Sequence, residues 1–91
     1  MGKFTDECRQ LLELVGGKEN ISAVTHCVTR MRFVLADPKI ADIKAIEALP
    51  TTKGTFTQAG QFQVIIGNEV STYYNDFVAV AGIEGVSKEA A

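Results

Sequence analysis

The chain has 91 residues, 46% of them hydrophobic, with two prolines, eight glycines and a formal charge of −2. That length suits one domain with one core, and that composition suits a folded chain. The charge argues against a nucleic-acid binder, which carries a strong basic excess.

Cys8 and Cys27 form no CxxC pair and are too few for a secreted disulfide scaffold. The first residues (MGKFTD) lack an apolar signal core, and no apolar run approaches the roughly 20 residues of a membrane helix. The expected compartment is the cytosol, where free thiols persist.

From Thr5 to Val15, apolar residues recur at Cys8, Leu11, Leu12 and Val15, the spacing of a helix with one buried stripe. Gly16-Gly17 then suits a C-cap. Next, β-branched and aromatic residues predict strands over 21–26 and 30–36, joined by a tight turn at Cys27-Val28-Thr29. Asp37-Pro38 breaks the second strand. Ile43, Ile46 and Leu49 predict a helix over 42–49, stopped by Pro50. Residues 51–57 read as a strand, Gln58-Ala59-Gly60 as a turn, and 61–66 as a strand alternating at Phe62, Val64 and Ile66. Asn68 is the expected N-cap of a helix from Glu69 to about Val80, with Val70, Tyr73, Tyr74 and Phe77 as its stripe. Residues 1–81 are the expected domain, and 82–91 a small, polar, flexible tail or linker. The order αββαββα predicts an α+β two-layer sandwich: a four-stranded antiparallel sheet with three helices on one face and the other face open.

The segment Thr25-His26-Cys27-Val28-Thr29-Arg30-Met31-Arg32-Phe33 carries the chemistry. Residues two apart in a strand share a face, so Arg30 and Arg32 project together about 6–7 Å apart, opposite Met31, Phe33 and Leu35. Two guanidiniums near a thiol make a place for an anion, and a phosphate can be gripped by both. The same charges are expected to lower the pKa of Cys27 and enlarge its nucleophilic thiolate fraction. Turn N–H groups, including that of Val28, and the Thr29 hydroxyl are candidates for the remaining phosphoryl oxygens. Phosphoryl transfer asks for an in-line nucleophile and charge stabilisation, and this set offers both.

Blander readings compete. A lone cysteine is most often a small buried hydrophobe, and this is the expectation for Cys8. Paired arginines on an open strand face are commonly just solvated. His26 reads as a structural hydrogen-bonder, Tyr73 and Tyr74 as packing residues, and Gln61 and Gln63 as residues lining the open face. His26 and Cys27 alone are too few for zinc, so no metal and no cofactor are expected. A cysteine-dependent phosphatase loop is a poor match: Arg32 follows Cys27 after four residues where that loop needs five, the loop lacks glycine, and a strand follows where a helix is required.

Cys27-Val28-Thr29-Arg30-Met31-Arg32-Phe33 resembles the phosphocysteine motif C-x-T-R-[LM]-R-[FV] of the enzyme IIB domains of the bacterial phosphoenolpyruvate-dependent sugar phosphotransferase system, in the glucose, sucrose, trehalose and β-glucoside branch. The resemblance extends through Leu14-Val15-Gly16-Gly17, Asn20-Ile21, Lys53-Gly54 and Gly60 to Gly67, covering about residues 8–80. It implies the four-stranded, three-helix fold already read from pattern. It also implies a protein-phosphohistidine–sugar phosphotransferase component: Cys27 takes a phosphoryl group from a phosphohistidine on an enzyme IIA domain. The group then goes to a sugar held by the membrane-embedded enzyme IIC domain, with Thr29, Arg30 and Arg32 cradling it. The domain would then work at the inner face of the cell membrane. The run 53–63, with Thr25-His26-Cys27 and Tyr73-Tyr74, is most similar to trehalose transporters. Sucrose, N-acetylmuramate and β-glucoside members stand as alternatives, as does a regulatory docking domain of the same fold or a redox thiol.

Overall fold

The computed structural model describes residues 2–83. The order is α1 (Thr5–Leu14), β1 (Ile21–His26), β2 (Arg30–Leu35), α2 (Ile43–Glu47), β3 (Gly54–Gln58), β4 (Gln61–Ile65) and α3 (Val70–Ala81). The strands form one antiparallel sheet in the order β1-β2-β4-β3. The two hairpins thus meet along their second strands, and β2 and β4 are central. The expected order αββαββα and the antiparallel α+β architecture are those observed. The tail expected over 82–91 lies, from residue 84 on, outside the described residues.

The alternation in β2 makes the layers. Met31 and Phe33 are fully buried and Leu35 nearly so, while Arg30, Arg32 and Val34 take the other face. Phe62 and Val64 of β4 pair with Phe33 and Met31, which continues the apolar face across the centre of the sheet. The helices bury Cys8 and Leu11 of α1, Ile46 of α2, and Tyr73, Tyr74 and Phe77 of α3. Phe33 joins both layers, with Phe62 beside it at 6.2 Å and Phe77 edge-on at 5.4 Å between ring centroids. Each such buried side chain contributes about 1.5–3 kcal/mol of transfer free energy.

Helix α1 ends as the double glycine implies. The Gly17 N–H donates to Leu12 O at 2.8 Å and the Gly16 N–H to Glu13 O at 3.0 Å, the two bonds of a Schellman stop. Gly16 has φ +106, and a Cβ there would lie 2.7 Å from Ile40 Cγ2, so both conformation and space require glycine. Buried Asn20 holds the next corner. Its Nδ2 donates to Val15 O (2.7 Å) and Asp37 O (3.1 Å), and its Oδ1 accepts from Asp37 N (2.8 Å).

Several boundaries differ from the sequence expectation for local reasons. The second helix is a short Ile43–Glu47 turn capped by the Asp42 side chain, which accepts from Ala45 N, and it ends before Pro50. The third strand begins at Gly54, because Thr51 and Thr52 are drawn off: Thr51 donates to Glu7, and the Thr52 hydroxyl to Ile46 O and Leu49 O. Asn68 is not the N-cap of α3. Glu69 takes that place with no side-chain cap bond, and the chain turns in through Gly67, whose carbonyl accepts from Val70 N. Short 3₁₀ turns at Lys18–Asn20 and Pro38–Ile40 were not foreseen.

Candidate functional site

The site is built where β1 hands over to β2. The Cys27 N–H donates to Arg30 O at 2.9 Å, which closes the turn and lifts Val28, 82% exposed, to its tip. A second loop pins this turn from the side: the consecutive amides of Ile66 and Gly67 both donate to Thr29 O, each at 2.8 Å. His26 lies on the helix face of β1, opposite Met31, with its ring 4.6 Å from that of Tyr74. His26 Nδ1 is 2.9 Å from Cys27 O and in its protonated tautomer donates to it. Tyr74 in turn donates its hydroxyl to Val24 O at 3.0 Å. The sequence expectation of a structural histidine and packing tyrosines is therefore met, with hydrogen bonds added.

The two cysteines sit in opposite environments. Cys8 is fully buried, its thiol 3.5 Å from Tyr73 O, and burial with the nearby Asp76 and Glu7 charges pushes it up to about 12. Cys27 is only half-buried. Its partial burial opposes ionisation, but the backbone amides of Thr29 and Arg30 hydrogen-bond the sulfur, and Arg32 adds its charge and a side-chain hydrogen bond. The balance lowers the thiol pKa below its ordinary value.

The arginines share the open face but do different things. Arg32 is the one whose field reaches the sulfur, and its Nε is buried with no partner. Arg30 leans the other way across the sheet. Its Nη1 donates to Gln63 Oε1 at 3.0 Å, and its guanidinium lies 5.6 Å from the centre of the Phe56 ring. The sequence expectation that both charges act on the thiol is thus met by Arg32 alone, while Arg30 acts on it through its backbone amide.

Gln63 was expected to line the open face. It does face that way, opposite Arg32 and Phe56 in register, yet it is only 5% exposed, with Arg30 bonded to its amide oxygen. Gln63 was read only as a residue lining that face, and Phe56, Ile66 and Gly67 were given no part in the site by reading along the chain. Their link to the turn depends on the non-local pairing of β2 with β4. A glycine directly after the strand run QFQVII was the one available signal. Among the described residues no cluster of three or more His, Cys, Asp or Glu could hold a metal ion. A separate cleft of about 440 Å³ lies between α1 and α3, lined by Gly2, Thr5, Arg9, Asp76, Ala79 and Val80. It contains none of the turn's residues.

The fold and turn together define a two-layer sandwich that presents a cysteine, with an acidified thiol, at the tip of its edge hairpin. Comparison with known proteins carries this to a family. The family described as phosphotransferase system, EIIB matches residues 9–42. A trehalose-specific EIIBC component from Escherichia coli (strain K12) is 55% identical over 80 residues, covering 88% of this chain and 17% of that protein. A sucrose-specific EIIBC component from Klebsiella pneumoniae is 46% identical over 89 residues, covering 97% of this chain and 20% of that protein. A crystal structure of one domain of a PTS IIabc component from Clostridium difficile superposes with a TM-score of 0.74 at 30% identity, covering 93% of this chain and 85% of that one. The chain belongs to the EIIB family of the phosphotransferase system. It spans about a fifth of the length of the curated relatives it matches.

Proposed function

We propose that this domain is the phosphoryl carrier of a sugar transporter and that Cys27 is the carrying atom's residue. The observation that supports this most directly is the turn itself: a half-exposed thiol whose pKa the Thr29 and Arg30 amides and Arg32 lower, beside a buried Arg32 Nε that has no protein partner.

In the first step the thiolate attacks the phosphorus of a phosphohistidine on an EIIA domain. An S–P bond forms, the P–N bond breaks, and the imidazole leaves with the electron pair. The nucleophile is the thiolate, whose fraction the lowered pKa of Cys27 enlarges. The charge spread over the equatorial oxygens is met by the turn amides, including that of Val28, by the Thr29 hydroxyl and by Arg32. In the second step a sugar hydroxyl, held by the membrane-embedded EIIC part, attacks the same phosphorus. The S–P bond breaks, the sulfur leaves as a thiolate, and the hydroxyl proton passes to a base or to water. Arg30 is available to swing from Gln63 to the phosphoryl group or the sugar. A thiolate held at low pKa is the better leaving group here, so the same amides serve both steps.

Trehalose is the favoured sugar, on the 55% identity to a trehalose-specific relative, against 46% for a sucrose-specific one. The domain works on the cytoplasmic side, where EIIA meets it; no helix among its described residues is long and apolar enough to cross a membrane. The test is sugar phosphorylation in vesicles carrying the matching EIIC with this domain attached. Supplied with phosphorylated EIIA, they should yield trehalose phosphate, and the Cys27→Ser protein should yield none. Sugar phosphate formed by the serine variant would remove Cys27 from the path.

A further inference from the structure

The turn's hydrogen bonding is set from outside the turn. The Thr29–Arg30 peptide, like the others among the described residues, is trans, so its Thr29 carbonyl and Arg30 N–H point in opposite directions. The Thr29 carbonyl takes the amides of Ile66 and Gly67, both at 2.8 Å, which turns the Arg30 N–H back toward Cys27, where it favours the ionised sulfur. We propose that Ile66 and Gly67 are positioning residues for the Cys27 thiol: by clamping the Thr29 carbonyl they aim and polarise the Thr29–Arg30 peptide toward the sulfur. As a mechanism this rests on the carrier reading of Cys27.

Two physical effects act together. Orientation comes first, because a peptide plane held at its oxygen by two bonds cannot rotate its N–H off the sulfur. Polarisation adds to it, because hydrogen bonds in a chain strengthen one another. The clamp has its own brace. The Ile66 carbonyl accepts from Lys53 Nζ at 3.2 Å, and the Gly67 backbone sits at φ +106, where an L side chain is strained although only the flexible Lys53 chain lies within 4 Å of the Cβ position. The charged and titratable neighbours are Arg32 on β2, whose charge reaches the sulfur; His26 on β1, which holds the Cys27 carbonyl; and Lys53, committed to Ile66 O. None of them replaces the Arg30 N–H.

The test is the pH dependence of Cys27 alkylation by iodoacetamide, read by mass spectrometry, in the wild-type domain and in Gly67→Ala, with a thermal melt to establish folding. The clamp predicts a midpoint raised by about half a unit, and alkylation near pH 7 slowed about threefold. A folded Gly67→Ala protein with the wild-type midpoint overturns it. An NMR titration of the wild-type domain decides independently of that variant's folding. Ionising the thiol should draw on the Arg30 N–H and, through the Thr29 carbonyl, on the amides of Ile66 and Gly67, so all three protons should shift with one midpoint. Ile66 and Gly67 amides that stay still while Arg30 moves would overturn the clamp. A raised midpoint in Gly67→Ala, with no phosphoryl group ever gained by wild-type Cys27, keeps the clamp and discards the carrier; phosphorylation with an unmoved midpoint does the reverse.

Discussion

Replacing Asn20 tests the scaffold separately from the chemistry. The side chain is 5% exposed and makes three hydrogen bonds, donating to Val15 O and Asp37 O and accepting from Asp37 N. It joins the end of α1 to the segment leaving β2. In Asn20→Ala, three backbone groups lose their partner. At about 1 kcal/mol for each bond, with water entering part of the space, the loss is about 2–4 kcal/mol. For a domain of this size that lowers Tm by about 10–20 °C. Urea unfolding with an unchanged m-value is the assay. Asn20→Asp sharpens it, because shape is kept while a carboxylate oxygen is set against two carbonyls. The introduced carboxyl would bind its proton more tightly in the folded state, so stability should rise as pH falls through its raised pKa. The alkylation midpoint of Cys27 should not move in the folded variants, because Asn20 bonds the far end of β2. A loss below about 1 kcal/mol for Asn20→Ala would refute the claim that this corner depends on those bonds.

Other expectations follow from the same geometry. The Cys27 pKa lies below its ordinary 9.0, so the folded thiol stays ionised to lower pH than the unfolded one. Its contribution to stability is full above the unfolded value and is lost as pH falls through the folded one. Arg32→Met should raise the alkylation midpoint, and Cys8, pushed up to about 12, should resist alkylation until the chain unfolds. Ala59 and Gly60 have φ +53 and +79, both positive as a type I′ turn demands, so Ala59→Asn should stabilise by about 0.5–1 kcal/mol in the same urea assay. Glu7 accepts from Thr51 N, the Thr51 hydroxyl and the Tyr73 hydroxyl, so Glu7→Gln, which exchanges an acceptor for a donor, should cost about 1–3 kcal/mol.

What was legible in the chain was what local patterning controls. The stripe at Cys8, Leu11 and Val15 located α1, and Gly16-Gly17 located its end, because helix period and left-handed backbone both leave marks in sequence. The alternation through Arg30 to Leu35 separated the sheet's faces correctly. What stayed hidden depends on partners distant in the chain. Gln63 reads as an ordinary outward polar residue until β2 pairs with β4 and Arg30 reaches across to it. Thr51 and Thr52 have good strand chemistry, yet bonds to Glu7 and to the end of α2 hold them out of β3. The division of labour between Arg30 and Arg32 was equally invisible, since spacing gives a shared face but not the direction in which a long side chain leans.

The carrier role requires Cys27 to accept a phosphoryl group, and the intact mass of the domain reads this directly. After incubation with phosphoenolpyruvate, the general phosphotransferase proteins and an EIIA domain, the wild-type and Cys8→Ser domains should each gain one phosphoryl mass and Cys27→Ser none. A gain that persists in Cys27→Ser, or that vanishes in a folded Cys8→Ser protein, would contradict it.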